Sequence, residues 1–369
     1  MHLTSVHSPL DIRIFQKECR SLASAGYDVK VVAPHDHDEV VDGIPILAVP
    51  ESRSRIARMM RCTWRVYRAA LRQKADVYHF HDPELIPFGL LLRAQGKKVV
   101  YDIHEDYPTK IGDKDYLPVK LRPVIAWLAE RMENLSSKFF SALVFSPPDL
   151  VRRFNPLNEN SVLVQNFAYL NEFRPSTETP WSQRECAVAY MGVIHEGRSV
   201  RQMVQAMGLL PDQLKATLKL AGPHRPVSLR EELSRLRGWE RVEDLGFLDW
   251  RGVASVLSRV RAGLILYYST KGYTYGYSVK LFEYMSAGLP VILNRKSPLE
   301  SEVVKKFDCG LLVDPLNPAE IAERIEYVLT HPVEAEAMGR RGREAVEKHY
   351  NWKSEERKLL SLYGQLSTP

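Results

Sequence analysis

Short β-branched runs alternate with segments of helical periodicity along nearly the whole chain, and this alternation restricts the possible folds more than any other feature. In the first repeat, the apolar run Leu3–Val6 precedes Ile12–Ala25, whose apolar residues have helical spacing, and Gly26 follows as a C-terminal stop. Val29–Ala33 is then short and rich in valine, as strands are. A strand, a helix and a second strand form a βαβ unit, which requires a parallel sheet. The sequence therefore predicts an α/β fold.

The alternation is interrupted once. Between Phe167 and Glu185 the chain becomes polar and contains prolines, and the same rhythm restarts afterwards. We therefore predict two doubly wound, Rossmann-like domains, residues 1–170 and 186–351, joined by a linker at residues 171–185. The 369 residues suffice for two hydrophobic cores. Ligands of such sheets bind outside the carboxyl ends of the strands, so two facing sheets are expected to form a cleft.

The composition is typical of a cytoplasmic protein with a mild positive charge. The formal charge of +6 and the pI of about 9.0 suit a partner that carries phosphates. The four cysteines lie far apart and form no CxxC pair, which indicates free thiols in a reducing compartment. No apolar run resembles a signal peptide or a membrane span, so we expect a cytoplasmic protein that contacts lipid only peripherally, at the inner face of the plasma membrane.

The segment Lys280–Ile292 (KLFEYMSAGLPVI) carries the strongest chemical signal. It begins a helix after a polar, glycine-bearing loop that follows a predicted strand. The free backbone N–H groups and the dipole at such a helix start favour a diphosphate. Glu283 lies one turn inside, where its carboxylate can accept hydrogen bonds from two ribose hydroxyls. A strand, loop and helix in this order are also ordinary α/β construction, so the residues alone leave both interpretations open.

This segment resembles the nucleotide-binding segment of retaining glycosyltransferases with the GT-B fold that are grouped as glycosyltransferase family 4. Further stretches match that family in the same order: SPLDIRIFQKECRSLASAGYDVKVVA, DVYHFHDPELIP, VVYDIHED, LVQNF, YMGVIHEGRSV and GLLVDPLNPAEIAERI. The first of them resembles the family's bacterial polysaccharide-assembly branch. The resemblance covers almost the whole chain. It implies an N-terminal acceptor-binding domain, joined by the C-terminal helix 352–369, and a C-terminal donor-binding domain.

The resemblance implies roles for the residues around the start of this helix. Glu283 matches the second glutamate of the family's Glu-x7-Glu pair, which holds the ribose, whereas the first position is Tyr275, which is not acidic. The groups that would hold the donor sugar and nucleotide beside it are Tyr275, Gly276, Tyr277, Ser278 and Val279. The family generally needs no metal, and the donor loop contains no Asp-x-Asp triplet, so we expect neither a metal nor another cofactor.

The family also places an arginine and a lysine against the diphosphate, from a loop like the one after Gly192. Its first basic position is Ile194 here, so we assign the cations to Arg198 and Lys280. Fixed cations stabilise the charge that the diphosphate gains as the sugar leaves. The alternative is that Arg198 is a solvated loop charge.

His104 stands at the carboxyl end of a predicted strand, where a parallel sheet presents functional side chains. The resemblance places it near the donor sugar and the acceptor, as a hydrogen-bond partner of a sugar hydroxyl or as an aid to removal of the acceptor proton. The residues expected on the acceptor side are Asp11, Arg13, His81, Asp82, Glu84 and Glu105. The family's glycine-rich loop is absent near Asp11, so this loop must differ in shape.

Two other interpretations of these histidines remain open. His104 can instead cap a strand or orient a neighbour. His79 and His81 point to one face of a strand and, with His104, Glu105 and Asp106, are also compatible with the metal centre of a hydrolase.

Residues 53–74 form a basic amphipathic segment with eight basic residues and no acidic one. At about 100° per residue, one stripe consists of Arg58, Arg61, Arg65, Arg68 and Arg72. One interpretation is a helix packed on the core with a solvated basic face, and another is docking to an anionic membrane surface that presents a lipid-linked acceptor. No recognised nucleic-acid module surrounds the segment, so we expect no nucleic-acid partner.

The sequence thus predicts a retaining glycosyltransferase that transfers a hexose-type sugar from a nucleoside diphosphate, UDP in particular, to a saccharide or lipid-linked acceptor in bacterial surface polysaccharide assembly. Two alternatives remain. One is a sugar-nucleotide epimerase of the same fold. The other is a non-catalytic protein that binds a nucleotide-sugar, which the tyrosine at position 275 keeps open.

Overall fold

The structure is a computed structural model that describes residues 1–51, 54, 58–112, 117–170, 180–268 and 276–367. The chain divides into two compact units. The first comprises Met1–Asn166 and Trp352–Pro369, and the second comprises Phe167–Asn351. None of the described helices is long and apolar enough to cross a membrane.

The first unit contains an eight-stranded sheet. Its strands are β1 (His2–Leu3), β2 (Val31–Pro34), β3 (Glu39–Val41), β4 (Ile44–Val49), β5 (Val77–Phe80), β6 (Lys98–Ile103), β7 (Ala142–Phe145) and β8 (Ser161–Leu163). They lie in the order β3-β4-β2-β1-β5-β6-β7-β8, and every pair is parallel except β3 with β4. The order reverses between β1 and β5, and such a switch point is where open α/β sheets bind ligands.

Helices connect these strands. They are α1 (Arg20–Ser24), α2 (Thr63–Arg72), α3 (Ile86–Ala94), α4 (Tyr107–Ile111), α5 (Arg122–Ser137) and α6 (Val151–Phe154), with π-helical segments at Ile12–Cys19 and Arg58–Cys62. Apolar residues of α2, α3 and the strands form one core, in which the Phe80 and Tyr101 rings stack and Phe140 meets Phe80 edge to face.

The first predicted helix differs from its expected form. The periodicity predicts one helix over Ile12–Ala25, but the structure has a π-helical segment followed by the short α1. The Asp11 carboxylate accepts the N–H groups of Arg13 and Ile14, and the Gln16 N–H reaches back five residues to the Asp11 carbonyl. This wider helix directs polar side chains towards the core.

The second unit contains a six-stranded parallel sheet. Its strands are β9 (Ala187–Met191), β10 (Thr217–Ala221), β11 (Val242–Asp244), β12 (Ala262–Ile265), β13 (Val291–Asn294) and β14 (Gly310–Val313), in the order β11-β10-β9-β12-β13-β14. Its helices are α7 (Val200–Met207), α8 (Leu229–Ser234), α9 (Trp250–Leu257), α10 (Val279–Ser286), α11 (Pro298–Phe307), α12 (Pro318–Thr330) and α13 (Pro332–His349). Here the order reverses between β9 and β12. Two doubly wound α/β units are therefore present, as the sequence predicts.

Short 3-10 turns complete the described elements of both units. They are Pro83–Leu85, Val119–Leu121, Pro148–Leu150, Trp181–Gln183, Glu196–Arg198, Asp212–Leu214 and Trp239–Arg241. The C-terminal helix α14 (Trp352–Ser367) packs in the first unit, where the Trp352 indole N–H donates to the Ser21 hydroxyl at 2.8 Å.

The boundary between the units differs from the predicted linker at 171–185. Phe167 belongs to the second unit because its ring packs against Phe282, with 4.6 Å between centroids. Trp181 is likewise buried in the core of that unit. Residues 171–179 lie outside the described part of the chain. The helix α11 was not predicted either, because Pro298 at its first turn interrupts the apolar periodicity that follows β13.

Candidate functional site

The switch point of the second unit brings together the carboxyl end of β9 and the start of α10. Gly192 follows β9 directly with φ of +130°, a conformation that favours glycine. A Cβ at Gly192 would lie 2.6 Å from Cε of Lys280 on α10. Glycine therefore gives the lysine side chain its path beside the strand end.

Lys280 is a half-buried cation. Its Nζ lies 5.9 Å from the centroid of the Tyr190 ring. Burial lowers the pKa of the Lys280 ammonium, and repulsion from Arg198 lowers it further, against the opposing pull of Glu283 and Glu300. Among the described residues, no carboxylate lies within 4.0 Å of Nζ. The site therefore holds a positive charge that an anion would stabilise.

Arg198 ends the short turn that leads into α7. Its guanidinium Cζ lies 5.6 Å from the Tyr267 ring centroid, and its Nε donates to Nε2 of His195 at 3.3 Å. Burial lowers the pKa of His195, and the positive charges of Arg198 and Lys280 lower it further. The structure thus brings the two predicted cations, Arg198 and Lys280, close enough to repel each other. Both also disfavour a positive charge on their common neighbour His195.

The start of α10 offers backbone donors. Ser278 precedes the helix, and the N–H groups of Val279 and Lys280 have no partner among the described residues. The Ser278 N–H donates to Oε1 of Glu300 at 2.7 Å. The approach to α10 is therefore held by a carboxylate from α11, while the next two donors remain available to a ligand.

Glu300 is a site residue that the sequence analysis missed. It is fully buried in the first turn of α11, and it accepts hydrogen bonds from Ser297 at 2.7 Å and from the Tyr267 hydroxyl. Burial raises the pKa of Glu300, although its hydroxyl and N–H donors oppose that effect. A glutamate two residues after Pro298, directly behind a strand, was the signal that could have revealed it.

The remaining predicted donor-side residues surround this helix start. Glu283 is half-buried on α10, one turn inside the helix as predicted. The Tyr277 ring packs against Phe282, with 5.3 Å between centroids, and burial raises the pKa of its hydroxyl to about 12. At Gly276 no atom of the described residues lies within 4 Å of the position a Cβ would take. Tyr275 lies outside the described residues.

In the first unit, neighbouring strand ends carry a second cluster. Because β1, β5 and β6 are adjacent, their carboxyl ends bring His81 and His104 to Asp102. The Asp102 Oδ2 atom lies 3.1 Å from His81 Nδ1 and 2.9 Å from His104 Nε2. Burial opposes ionisation of Asp102, but Arg13 and the histidines outweigh it and hold the pKa of this carboxyl well below its usual range.

The ionised Asp102 determines which ring nitrogens carry hydrogen. A carboxylate only accepts, so both His81 Nδ1 and His104 Nε2 must donate to it. Their approach of 3.2 Å to each other is then a contact between two donors. In the neutral His104 ring this leaves Nδ1 as an acceptor, on a side chain that is 16% exposed. The arrangement suits a hydrogen bond from a hydroxyl.

Further histidines extend this network into the core. His81 Nε2 lies 2.9 Å from Nδ1 of His2, and His79 Nδ1 lies 2.9 Å from the hydroxyl of Tyr363 on α14. That hydroxyl lies 3.4 Å from Nε2 of His2. Burial lowers the pKa of His2 and His79 well below the ordinary value and that of His81 to about 4. The rings are therefore neutral and linked by hydrogen bonds.

The structure corrects the expected role of Arg13. Its side chain is 4% exposed, and Nε and Nη2 donate to the two Asp102 oxygens at 3.0 and 2.9 Å. Nη1 donates to the Val164 carbonyl. All three nitrogens point inwards, so Arg13 orients Asp102 and does not reach an acceptor.

The other predicted acceptor-side residues separate into buried and open positions. His81 and Asp82 are each 2% exposed, so they orient neighbours rather than contact a ligand directly. Asp82 accepts the Ser5 N–H at 2.6 Å, and Glu84 accepts the Ser5 hydroxyl at 2.8 Å. Asp11 lies 3.6 Å from His7. Glu105 is exposed and pairs with Lys110.

Three groups of described residues place potential metal ligands within 4.8 Å of one another. They are His2, Glu18, His79 and His81; His35, His37 and Glu39; and His81, Asp102 and His104. In the last group the ligand atoms already hydrogen-bond to each other and the Arg13 guanidinium adjoins Asp102. A cation there would meet this positive charge, so the geometry fits a hydrogen-bond network better than a metal centre.

Comparison with known proteins gives this geometry a family. Residues 176–345 match the family described as "Glycosyl transferases group 1", and residues 13–160 match the "Glycosyl transferase 4-like domain". The chain belongs to the GT-B glycosyltransferases of the family 4 type. The chain has the two-unit α/β fold expected for that family. The match at residues 13–160 lies in the first unit, and the match at residues 176–345 lies in the second.

Solved structures and a curated relative resemble this family member. Sucrose-phosphate synthase from Thermosynechococcus elongatus superposes with a TM-score of 0.78 at 19% identity, covering 99% of this chain and 98% of that one. Anabaena HepE in complex with UDP and glucose gives a TM-score of 0.72 at 14% identity, with 99% and 98% coverage. Spore coat protein SA of Bacillus subtilis is 32% identical over 83 residues, a match that spans 22% of each chain.

Besides Glu300 of the second unit, the sequence analysis missed several residues of the first unit. Asp102 is a single acidic residue inside the apolar strand β6, and that position was the available signal. His2, Glu18 and Tyr363 gave no signal, because they meet Asp102 and the other histidines only through contacts between distant parts of the chain.

Proposed function

We propose that this protein is a retaining glycosyltransferase that transfers a hexose-type sugar from a UDP-sugar to a saccharide or lipid-linked saccharide acceptor in bacterial surface polysaccharide assembly. The observation that carries the proposal is the pair of cations, Arg198 and Lys280, near the start of α10, whose first N–H groups have no partner in the described part of the chain. Together they form a site for a diphosphate at the switch point of the second unit.

The leaving diphosphate gains charge as the bond between the anomeric carbon and its oxygen breaks. Lys280 and Arg198 already repel each other, so an approaching anion relieves this repulsion and stabilises both cations. The benefit increases as negative charge develops on the departing oxygen, which is the condition for faster reaction. The sugar forms its new bond to an acceptor hydroxyl oxygen, which loses its proton.

His104 and Glu283 complete the proposed machinery. Glu283, one turn inside α10, accepts hydrogen bonds from the ribose hydroxyls. In the first unit, Asp102 holds His104 in the form whose Nδ1 accepts a hydrogen bond, so His104 binds a hydroxyl of the sugar or assists removal of the acceptor proton. Arg13 and His81 keep Asp102 in place for this purpose.

UDP and the absence of a metal are parts of the proposal. Support for UDP comes from HepE, which resembles this chain in fold and is described in complex with UDP and glucose. We propose that the cations Arg198 and Lys280 take the place of a metal at the diphosphate, so that transfer proceeds without one.

We also propose a cytoplasmic location at the inner face of the plasma membrane, with the basic segment 53–74 facing anionic lipid. In the described part of this segment, Val66 and Ala70 are buried against the core, while Arg61, Arg65 and Arg68 are exposed. The helix therefore packs through one side and offers its cations on the other. Each cation near an anionic surface contributes about 1 kcal/mol.

The test is binding and turnover with Glu283→Ala. We expect UDP-glucose to stabilise the parent protein in a thermal-shift assay that includes GDP- and ADP-glucose, and Glu283→Ala to weaken UDP binding roughly 10- to 100-fold, since it removes hydrogen bonds to a charged group worth about 1.5–3 kcal/mol. Glu302→Ala, an exposed glutamate of the same unit, is the matched control.

Two outcomes would contradict the proposal. One is equal UDP affinity of Glu283→Ala and the parent. The other is formation of a new sugar nucleotide from UDP-glucose without any acceptor, which is the product of an epimerase. Binding of UDP-sugars without turnover over many acceptors would support the non-catalytic alternative.

A further inference from the structure

The helix α5 of the first unit exposes its apolar face, whereas an ordinary surface helix buries it. Large apolar side chains at helical spacing are exposed along it and its flanks: Leu121, Val124, Leu128, Met132, Leu135 and Phe139. Their exposed fractions run from 45% at Met132 to 61% at Leu135. A helix that packs on a core normally turns this stripe inwards.

The side of α5 that faces the unit is small and polar instead. Glu133, Ser136 and Ser137 are buried there. The Glu133 carboxylate accepts hydrogen bonds from the Tyr101 hydroxyl and from Arg153, each at 2.7 Å. These polar contacts fix the orientation of α5. Because they hold the Glu133 side of the helix against the unit, the apolar stripe faces away from the core.

Cations flank the stripe on one side. Within residues 117–139, Lys120, Arg131 and Lys138 are exposed, against one exposed acid, Glu130. The Arg131 guanidinium lies 5.6 Å from the ring centroid of Trp127, which is itself 53% exposed beside the stripe. Exposed leucines with a tryptophan and flanking cations are the composition of helices that lie in a membrane interface.

The basic helix α2 belongs to the same layer. The connections β4–β5, β5–β6 and β6–β7 advance in one direction through the sheet, so right-handed crossovers place α2, α3 and α5 on the same face. Contacts agree with this order: the Tyr67 and Phe88 rings stack at 5.1 Å, and Arg93 of α3 donates to the Phe139 carbonyl at 2.8 Å. The exposed Trp64, Met59 and Met60 therefore add to the apolar surface of this layer.

We propose that this layer is a lipid-docking face, on which the apolar stripe 121–139 inserts into the headgroup boundary of an anionic membrane while the cations of α2 and α5 bind lipid phosphates. An apolar stripe without charges would suit a second protein equally, but the exposed cations beside the stripe and on α2 match an anionic bilayer. Binding of this face to lipid does not depend on catalysis. The idea that docking brings the protein to a lipid-linked acceptor rests on the proposed function.

The experiment is flotation of the full chain with phosphatidylcholine vesicles, with and without phosphatidylglycerol, at low and high salt. Leu128→Gln/Leu135→Gln is the test variant. Leu209→Gln/Leu316→Gln, which changes equally exposed leucines of the second unit, is the control. We expect the test variant to bind phosphatidylglycerol vesicles at least about tenfold more weakly and the control to bind like the parent, because only the stripe loses apolar area from the lipid.

Salt separates the two components of docking. Charge reversal at Arg61, Arg65 and Arg68 should abolish the electrostatic contribution to vesicle binding, which high salt also removes. The leucine variant should instead lose the apolar contribution, which persists at high salt. Trp127 reports the insertion: brominated lipid should quench the fluorescence of the parent more than that of Trp127→Phe.

Three results would overturn the proposal. The first is unchanged flotation of the leucine variant, and the second is equal binding to vesicles without phosphatidylglycerol. The third is a dimer in sedimentation that the leucine variant dissociates, with no vesicle binding, which would assign the face to a second copy. Thermal shifts with UDP-glucose on the same variants keep this outcome separate from that of the proposed function, because the nucleotide site lies in the other unit.

Discussion

The first and second units each gather charged groups at a sheet switch point, but they balance those charges in opposite ways. In the first unit Asp102 is paired with Arg13 and bonded to two histidines, so the cluster is neutralised within the protein. In the second unit Lys280 and Arg198 repel each other, and Lys280 has no carboxylate within 4.0 Å among the described residues.

This difference indicates what each unit needs from a ligand. The first cluster is complete by itself, so it can position His104 for a neutral hydroxyl but gains little from a charged partner. In the second, Lys280 has no carboxylate within 4.0 Å among the described residues and is repelled by Arg198, so a diphosphate would stabilise it. Perturbing the first should therefore act on folding, and perturbing the second should act on binding and turnover.

The largest expected effect is acid unfolding of the first unit. The pKa of His81 is lowered to about 4, chiefly by burial, and those of His2 and His79 lie well below their ordinary value of 6.5. The folded state therefore disfavours protonation. The stability from these neutral rings is fully present above pH 6.5 and is lost as pH falls towards 4, against the opposing attraction of Asp102.

Hydrogen exchange at pH 7 and pH 5, corrected for intrinsic rates, measures this effect in each unit. The amides of β5 should lose protection at pH 5 before those of β9. His37→Gln changes an exposed histidine of the first unit and should leave the difference intact. Earlier loss of protection in β9 would refute the comparison.

The next largest effect is expected for Asp102→Asn. Removing the charge leaves the buried Arg13 guanidinium with only Glu18, whose Oε1 lies 3.0 Å from Arg13 Nε and whose pKa is raised chiefly by burial. We expect a loss of about 3–5 kcal/mol in the free energy of unfolding. Asp42→Asn breaks the exposed pair of Arg20 and Asp42, with side chains 45% and 48% exposed, and should cost less than about 1 kcal/mol. Urea titration compares the two, and equal losses would show that burial of the pair does not matter.

The third effect concerns Lys280→Met in the second unit. We expect the free energy of unfolding to stay constant or rise slightly, because a half-buried cation repelled by Arg198 is removed. Transfer from UDP-glucose should slow by about 2–4 kcal/mol in the transition state. Lys296→Met, at a lysine whose side chain is 64% exposed, is the matched control for both measurements. A large stability loss with normal turnover would reverse the roles assigned to the two units.

Much of this arrangement was accessible from residue order. The strand predicted at Val29–Ala33 is observed at Val31–Pro34, and the strand expected just before His104 is observed at Lys98–Ile103. Periodicity succeeds there because it reports contacts between each element and one core face. That Lys280 lies beside Gly192 is consistent with the resemblance, which places Lys280 and the loop after Gly192 against the same diphosphate.

Other features depended on distant contacts. Arg13 was expected on the acceptor side but is buried, because it pairs with Asp102, which is 89 residues away in the sequence. Nothing in the order of residues shows that the apolar stripe of α5 faces outwards, because a stripe predicts an apolar face and not its direction.

The sequence by itself determined two parallel-sheet units, the position of the helix start at Val279 and the family to which the chain belongs, because each depends on local pattern or on the order of motifs. The tertiary structure alone decided which charges are neutralised, which ring nitrogen His104 presents and which face of α5 remains open. Those properties arise from burial and from partners far apart in the chain, and both are set only when the units fold.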